Sequence, residues 1–114
     1  MSRQGFLGEF EQLLMLAILQ LGEDALGTNI SAELEEKAGR RVSRGALYSS
    51  LDRLESKGFL IWELEAPGAD RGGHPARRFR VTREGLGALR EHQQAYRRLA
   101  VGLDEVLGTG PELS

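Results

Sequence analysis

The sequence predicts a mainly α-helical protein with one small β-hairpin and a long final helix. Through most of the chain, apolar residues recur every three or four positions, which is the spacing of one face of an α-helix. Between residues 59 and 82, that spacing gives way to alternation on either side of a stretch rich in glycine and proline. A heptad pattern then runs from Leu86 to Leu107. At 114 residues, the chain is long enough for one domain with a modest core.

The composition excludes several classes of protein. Hydrophobic residues make up 40% of the chain and charged residues 28%, which is ordinary for a globular protein in water. There is no cysteine, so disulfides and thiolate metal sites are excluded. The longest apolar run, residues 13–19, is far too short to cross a membrane and lacks the flanks of a secretory signal. We therefore expect a cytoplasmic protein with no metal, no cofactor and no membrane partner.

The first predicted helix spans about residues 7–21 and ends at Gly22. Its apolar positions follow the three-and-four spacing and are Phe10, Leu13, Leu14, Ala17, Ile18 and Leu21. Leu7 and Leu16 widen this face beyond what one small core needs. Either the helix also faces a partner chain, or it is covered on two sides within its own domain.

A second and a third helix follow, joined by a short connection. The second spans about Thr28 to Ala38, with Thr28 or Asn29 as its N-cap and Gly39 as its stop. Residues 40–42 lead directly into the third helix. Two short helices joined by a few residues that include a glycine are typical of a helix-turn-helix.

The third helix is predicted to begin after Ser43, whose side-chain oxygen can accept a backbone N–H of the first turn, and to stop at Gly58. Leucines four and three residues apart form its apolar face. Its opposite face presents arginine, tyrosine and serine near the N-terminus, which suits a helix lying in the major groove of DNA. The alternative is an ordinary surface helix with solvated polar residues. The candidate DNA contacts on this helix are Ser43, Arg44, Tyr48 and Ser49.

A hairpin is predicted after the third helix. Residues 59–65 and 76–82 are rich in β-forming side chains, and residues 67–75 between them contain too much glycine and proline for regular structure. A hairpin packed on three helices completes a winged helix-turn-helix. Its arginines can contact phosphates beside a groove, or they can pair with Glu63 and Glu65 across the strands. The candidate DNA contacts on the wing are Arg71, His74, Arg77 and Arg78.

The distribution of charge supports a polyanionic partner. The formal net charge of the chain is −2, which by itself argues weakly against nucleic acid. Residues 37–98, however, contain fourteen Lys and Arg against seven Asp and Glu. A domain polarised in this way can bind a polyanion on one side despite an acidic total.

The last helix is predicted from about Arg83, capped by Thr82, to Leu107. A small domain cannot cover a heptad seam of this length, so the simplest partner is a second copy in a symmetric dimer. The alternative is a helix folded back on its own domain. The candidate dimer-interface residues are Leu14, Leu86, Leu89, Gln93, Tyr96, Ala100, Leu103 and Leu107. We thus expect a DNA-binding domain over residues 1–82, a dimerisation helix over 83–107 and a flexible tail over 108–114.

Three stretches resemble a known family. They are residues 7–11, residues 42–58 with Leu-Tyr and Leu-Asp-Arg-Leu-Glu-Ser-Lys-Gly, and residues 71–85 with Arg-Gly-Gly and Phe-Arg-Val-Thr-Arg-Glu-Gly. With these stretches the chain resembles the PadR family of bacterial transcriptional regulators, in its short form with a single C-terminal helix. The resemblance implies a winged helix-turn-helix homodimer that binds a palindromic operator in double-stranded DNA and usually represses transcription.

The resemblance also implies roles for single residues. Tyr48 falls on a tyrosine that contacts the DNA backbone, and Arg71, Arg77 and Arg78 fall on basic wing positions. Family members often have aromatic residues at the start of the second helix, which this chain lacks. Drug-sensing members place tryptophans in the dimer interface. The only tryptophan here, Trp62, lies on the wing, so stacking of a planar drug is not implied.

Two other classes of function compete with DNA binding. A winged helix can bind another protein instead, in which case binding would lack the steep salt dependence of a DNA complex. An enzyme is not expected, because the only histidines, His74 and His92, lie on a loop and on a helix flank. The chain also has no catalytic triad, P-loop or dinucleotide-binding glycine pattern. A small-molecule effector, if one exists, is expected at the dimer seam near Leu14, Leu89, Gln93 and Tyr96.

Overall fold

The computed structural model describes residues 6–65 and 76–108. Its helices are α1 (Glu9–Leu21), α2 (Gly27–Ala38), α3 (Arg44–Ser56), α4 (Arg83–Ala100) and α5 (Asp104–Leu107), and its strands are β1 (Leu60–Glu65) and β2 (Ala76–Val81). This mostly helical architecture with a two-stranded hairpin confirms the predicted fold class. The predicted wing loop with Arg71 and His74, and the predicted tail from residue 109 onward, lie outside the described residues.

The core forms where α1, α2 and α3 meet the inner face of the hairpin. Each of these elements contributes at least one fully buried apolar side chain, namely Leu14, Met15, Ile30, Leu34, Leu51, Leu54, Leu60 and Phe79. Burial of apolar side chains at helical spacing is what stabilises such short helices, because an isolated helix of this length is marginal in water. Within the described residues, no helix is both long enough and apolar enough to span a membrane.

The capping residues of α3 and α4 are those predicted from the sequence, but the cap of α2 is not. Ser43 caps α3 by accepting a hydrogen bond from the Ala46 amide at 3.1 Å, and Thr82 caps α4 by accepting one from the Gly85 amide at 3.0 Å. Gly58 closes the α3 end with a φ of 84°, as predicted. The predicted cap of α2 by a Thr28 or Asn29 side chain is wrong. That helix begins at Gly27 without a side-chain cap.

The hairpin is fixed to the start of α2. In its antiparallel register Trp62 lies opposite Phe79, and Leu64 lies opposite Arg77. The Phe79 amide donates to the Ala25 carbonyl at 2.9 Å, which ties β2 to the turn before α2. The pairing of the two strands and this extra bond set the position of the wing relative to the helix-turn-helix.

The last helix is shorter than the heptad pattern predicts. It ends at Ala100, Val101 and Gly102 form a turn, and Gly102 has a φ of 80°, a left-handed conformation that favours glycine. A single helical turn, α5, follows. The prediction of one continuous helix to Leu107 is therefore wrong, because the apolar spacing continues across a glycine at which the backbone leaves the helix.

Two of the predicted dimer-interface residues are wrong. Leu14 is 0% exposed and Leu89 is 4% exposed, since both pack in the core of their own chain. Neither side chain presents a substantial surface to a partner in this fold. The remaining candidates are at the surface, with Leu86, Tyr96, Leu103 and Leu107 exposed and Gln93 and Ala100 half-buried.

Candidate nucleic-acid interface

An open cleft of about 970 Å³ lies between the start of α2, the first three turns of α3 and the start of β2. Residues from all three elements line it, among them Gly27, Thr28, Arg44, Tyr48, Asp52 and Arg77. The helix-turn-helix and the wing thus share one concave surface, and two of its side chains are arginines. Such a surface is suited to a polyanionic ligand.

Tyr48 lies at the centre of the cleft. The Arg44 guanidinium carbon is 5.4 Å from the centroid of its ring, and that of Arg77 is 5.9 Å away. Cations at these distances are attracted to the electron-rich ring faces. The Tyr48 ring therefore helps to position one arginine from α3 and one from the wing beside each other.

Gly27 makes this position of Tyr48 possible. A Cβ atom on Gly27 would overlap the Tyr48 hydroxyl oxygen and would lie 2.9 Å from Cζ. Only glycine therefore leaves room for the tyrosine at the start of α2. The close approach places the phenol next to the first turn of α2, whose amides have no side-chain cap.

Arg77 connects the wing to α3. Its guanidinium carbon lies 4.5 Å from the centroid of the Trp62 ring, and its Nη1 lies 3.5 Å from Asp52 Oδ1. Stacking on the indole and pairing with the carboxylate fix the direction of a long side chain that would otherwise sample many rotamers. The guanidinium is thereby held over the cleft.

Arg78 has different surroundings. Its guanidinium pairs with Glu63, with Glu23 at 2.9 Å and with Glu65 at 3.7 Å. The hydrogen bond from Arg78 lowers the pKa of Glu63 below its usual value. This is the cross-strand pairing that the sequence left open as an alternative. Arg78 therefore links the wing to the turn before α2 instead of facing the cleft.

The remaining predicted contacts on α3 are accessible. Ser43, Arg44 and Ser49 are all exposed on the N-terminal half of the helix. The Ser43 hydroxyl accepts the capping bond from Ala46 and keeps its own hydrogen available as a donor. These side chains and Tyr48 form one accessible surface, which we call the reading face.

The C-terminal half of α3 is anchored to the start of α1. The Glu11 carboxylate lies 3.0 Å from Lys57 Nζ and 3.4 Å from Arg53 Nε, and it accepts the Gly8 amide at 2.9 Å. Burial raises the pKa of Glu11, but the Gly8 amide, Lys57 and Arg53 together outweigh burial and lower it below the ordinary value. Glu11 thus contributes, with the buried leucines of α3, to holding this helix against α1.

The same segment also contacts α4. The Leu7 amide donates to His92 Nε2 at 3.1 Å, and the Phe6 ring meets the His92 ring edge-on with centroids 6.0 Å apart. The segment from Phe6 to Glu11 therefore contacts both α3 and α4, the helix predicted to dimerise.

Gly27, Asp52 and Trp62 are not among the predicted DNA contacts, although the sequence places Asp52 on the polar face of the third helix. Each of them contacts a predicted residue, Tyr48 or Arg77. The contact between Trp62 and Arg77 could have been predicted from the sequence. In the predicted hairpin Trp62 lies diagonally across from Arg77, within reach of a long side chain. The contact between Gly27 and Tyr48 had no such signal, because it depends on how α2 and α3 cross.

Comparison with known proteins decides the family. Residues 15–91 match the transcriptional regulator PadR-like family. The chain belongs to the PadR-like family. It is 39% identical over 82 residues to the transcriptional regulator Rv3488 of Mycobacterium tuberculosis, a match that covers 72% of this chain and 69% of that protein. The family and this relative are transcriptional regulators and not enzymes, as we predicted from the sequence.

Solved structures agree with this assignment. A PadR family transcriptional regulator from Eggerthella lenta is 33% identical, with a TM-score of 0.64 over 90% of this chain and 88% of that one. A PadR family regulator from Clostridium difficile R20291 is 22% identical, with a TM-score of 0.67 over 87% of this chain and 99% of that one, and it supports the fold alone. The resemblance to the PadR family that the sequence showed is confirmed.

Proposed function

We propose that this PadR-like regulator is a homodimer that binds a palindromic operator in double-stranded DNA and represses transcription. The observation that carries the proposal is the convergence of Arg44, Tyr48 and Arg77 on one cleft beside the exposed reading face of α3. A helix and a wing that share cationic side chains can enter a groove and contact its flanking phosphates together.

Each element has a distinct part in the proposed complex. The side of α3 that faces away from the core lies in the major groove, where Ser43, Arg44 and Ser49 reach base edges or phosphates. Tyr48 donates its hydroxyl hydrogen to a backbone phosphate, and Arg77 contacts a phosphate from the wing side. Arg78 is not assigned a DNA contact, because its guanidinium already pairs with three carboxylates.

A second copy of the chain is the proposed partner of α4. Tyr96 is 53% exposed, and Leu86, Leu103 and Leu107 are also exposed along α4 and α5. Apolar side chains in such a series are usually covered by another surface. A two-fold symmetric dimer would place two reading helices about 34–36 Å apart, one helical turn of DNA, which explains why the operator would be palindromic.

A small-molecule effector, if one exists, would act by changing the angle between the two halves of the dimer. Since Leu14 and Leu89 are in the core, Gln93 and Tyr96 remain as the predicted lining of such a site. We place the protein in the cytoplasm, where a bacterial regulator meets its DNA.

The experiment that tests this function is selection of bound sequences from random duplex DNA, followed by binding measurements at several salt concentrations. We expect a palindromic sequence whose affinity falls steeply with salt. The Arg44→Ala variant should bind more weakly, while Arg90→Ala, which removes the same charge from α4 outside the cleft, should not. A protein-binding module would instead enrich no sequence and show no steep salt dependence.

A further inference from the structure

Asp52 is a carboxylate on the surface that the proposed function brings against DNA. Its side chain is 63% exposed and lines the cleft with Arg44, Tyr48 and Arg77. Among the described residues that line the cleft, no other is acidic. A negative charge here repels phosphates, so an unpaired Asp52 would weaken binding to every DNA sequence.

The position of Asp52 on α3 is one from which a helix reads bases. Gly45, Tyr48, Ser49 and Asp52 follow the spacing i, i+3, i+4 and i+7, which places them on one side of the helix. Recognition helices use this spacing to present side chains to successive base edges. Gly45 and Ser49 are small and exposed, so they do not keep α3 away from the floor of the groove.

Arg77 reduces the electrostatic penalty of this carboxylate. Its Nη1 lies 3.5 Å from Asp52 Oδ1, and the Trp62 ring supports the guanidinium from the other strand of the hairpin. A carboxylate has about four lone-pair sites, so pairing with one guanidinium nitrogen leaves acceptor capacity. The wing therefore supplies a counter-ion and leaves the carboxylate able to accept a further hydrogen bond.

We propose that Asp52 is a specificity-determining residue that accepts a hydrogen bond from the N4 amino group of a cytosine in the major groove, with Arg77 as its counter-ion. The inference rests on the proposed function. In the major groove guanine and the carbonyl edge of thymine present acceptors, which repel a carboxylate. Adenine presents a donor beside the N7 acceptor. Cytosine presents the N4 donor alone, and it is the base that Asp and Glu recognise.

The test compares the sequences selected from random duplex DNA by the wild type, Asp52→Ala, Asp52→Asn and the control Glu55→Gln. Glu55 carries the same charge on the same helix and does not line the cleft. We expect the wild type to prefer cytosine at one position of each half-site by at least about tenfold. Asp52→Ala should lose the preference at that position alone. Asp52→Asn should shift it to adenine, whose N6 and N7 an amide can contact together. Glu55→Gln should select the wild-type sequence.

The outcomes separate this inference from the function on which it rests. If the wild type enriches no sequence, the proposed function fails. If the wild type enriches a sequence that both Asp52 variants also enrich with the same base frequencies, DNA recognition stands and the role of Asp52 is wrong. A uniform gain in affinity of Asp52→Asn for all sequences would likewise overturn it, because Asp52 would then act only as a repulsive charge. Thermal unfolding of each variant, expected to match the wild type, excludes a general loss of fold.

Discussion

The hydroxyl group of Tyr48 occupies the space in which a side chain at position 27 would begin. Gly27 opens α2 and Tyr48 projects from α3, so the absence of a side chain at position 27 lets the Tyr48 hydroxyl approach the start of α2 closely. In this position the centroid of the phenol ring lies 5.4 Å from the guanidinium carbon of Arg44 and 5.9 Å from that of Arg77. A residue of the first helix of the motif thus affects the position of Tyr48, which we propose contacts DNA from the second helix.

Gly27→Ala should weaken DNA binding more than it weakens folding. The added methyl group displaces the Tyr48 ring, but the clash is with the end of a side chain that can move, so we expect little strain in the backbone. We expect DNA affinity to fall at least about tenfold with a small change in thermal unfolding. Gly87→Ala is the matched control, because a Cβ atom there meets nothing within 4 Å. Equal affinities for the two variants would show that the contact is unimportant for binding.

Arg77→Ala and Arg78→Ala should have different effects although the residues are adjacent. Arg77 faces the cleft, so its loss should lower the slope of log affinity against log salt by about one. Arg78 pairs with three glutamates, so its loss should leave the slope unchanged and instead destabilise the wing against thermal unfolding. Binding and unfolding measurements on both variants check this. Identical changes in slope would mean that the strand presents both arginines to DNA.

Glu11→Gln should destabilise the fold by about 2 kcal/mol near neutral pH, because Lys57 and Arg53 lose a buried partner. The pKa of Glu11 is lowered in the folded state, so the unfolded state binds the proton more readily. The stabilisation is therefore present above the ordinary value of 4.5 and is lost as pH falls through the lower folded value. Urea unfolding of both proteins across this range is the measurement. Glu35→Gln, which removes an exposed pair with Arg41, should change stability little at any pH.

Leu103→Glu should separate the proposed dimer. The side chain is exposed in a single chain, so the substitution should not disturb folding, but a buried charge at an interface is costly. We expect the dimer dissociation constant to rise at least about tenfold, measured by sedimentation. Ile61→Glu, at an exposed apolar position on the hairpin, should leave the mass of the assembly unchanged. A wild-type protein that sediments as a single chain at micromolar concentration would rule out the dimer.

Capping residues and the spacing of apolar residues made most of the fold predictable from the sequence. The Ser43 cap and the Gly58 stop are properties of a few adjacent residues, and the structure has both. The periodicity of apolar residues predicts which face of a helix is buried, but not which surface covers it. For this reason the pattern could not show that Leu14 and Leu89 are buried within their own chain and not against a partner. It also continues across Gly102, where the backbone turns out of the helix.

The candidate site was predictable in its residue types but not in its contacts. Adjacent residues on a strand point to opposite faces, so alternation alone could have separated Arg77 from Arg78. Which face meets the cleft depends on how the hairpin docks on α2, through the bond from Phe79 to Ala25. That docking joins segments far apart in the chain, and no local pattern encodes it.

The salt dependence of binding by the wild type and Arg44→Ala to the selected duplex tests the central claim most directly. We expect log affinity to fall linearly with log salt for the wild type. Arg44→Ala should bind more weakly, with a slope smaller by about one. An affinity that does not change with salt and is the same for both proteins would contradict it.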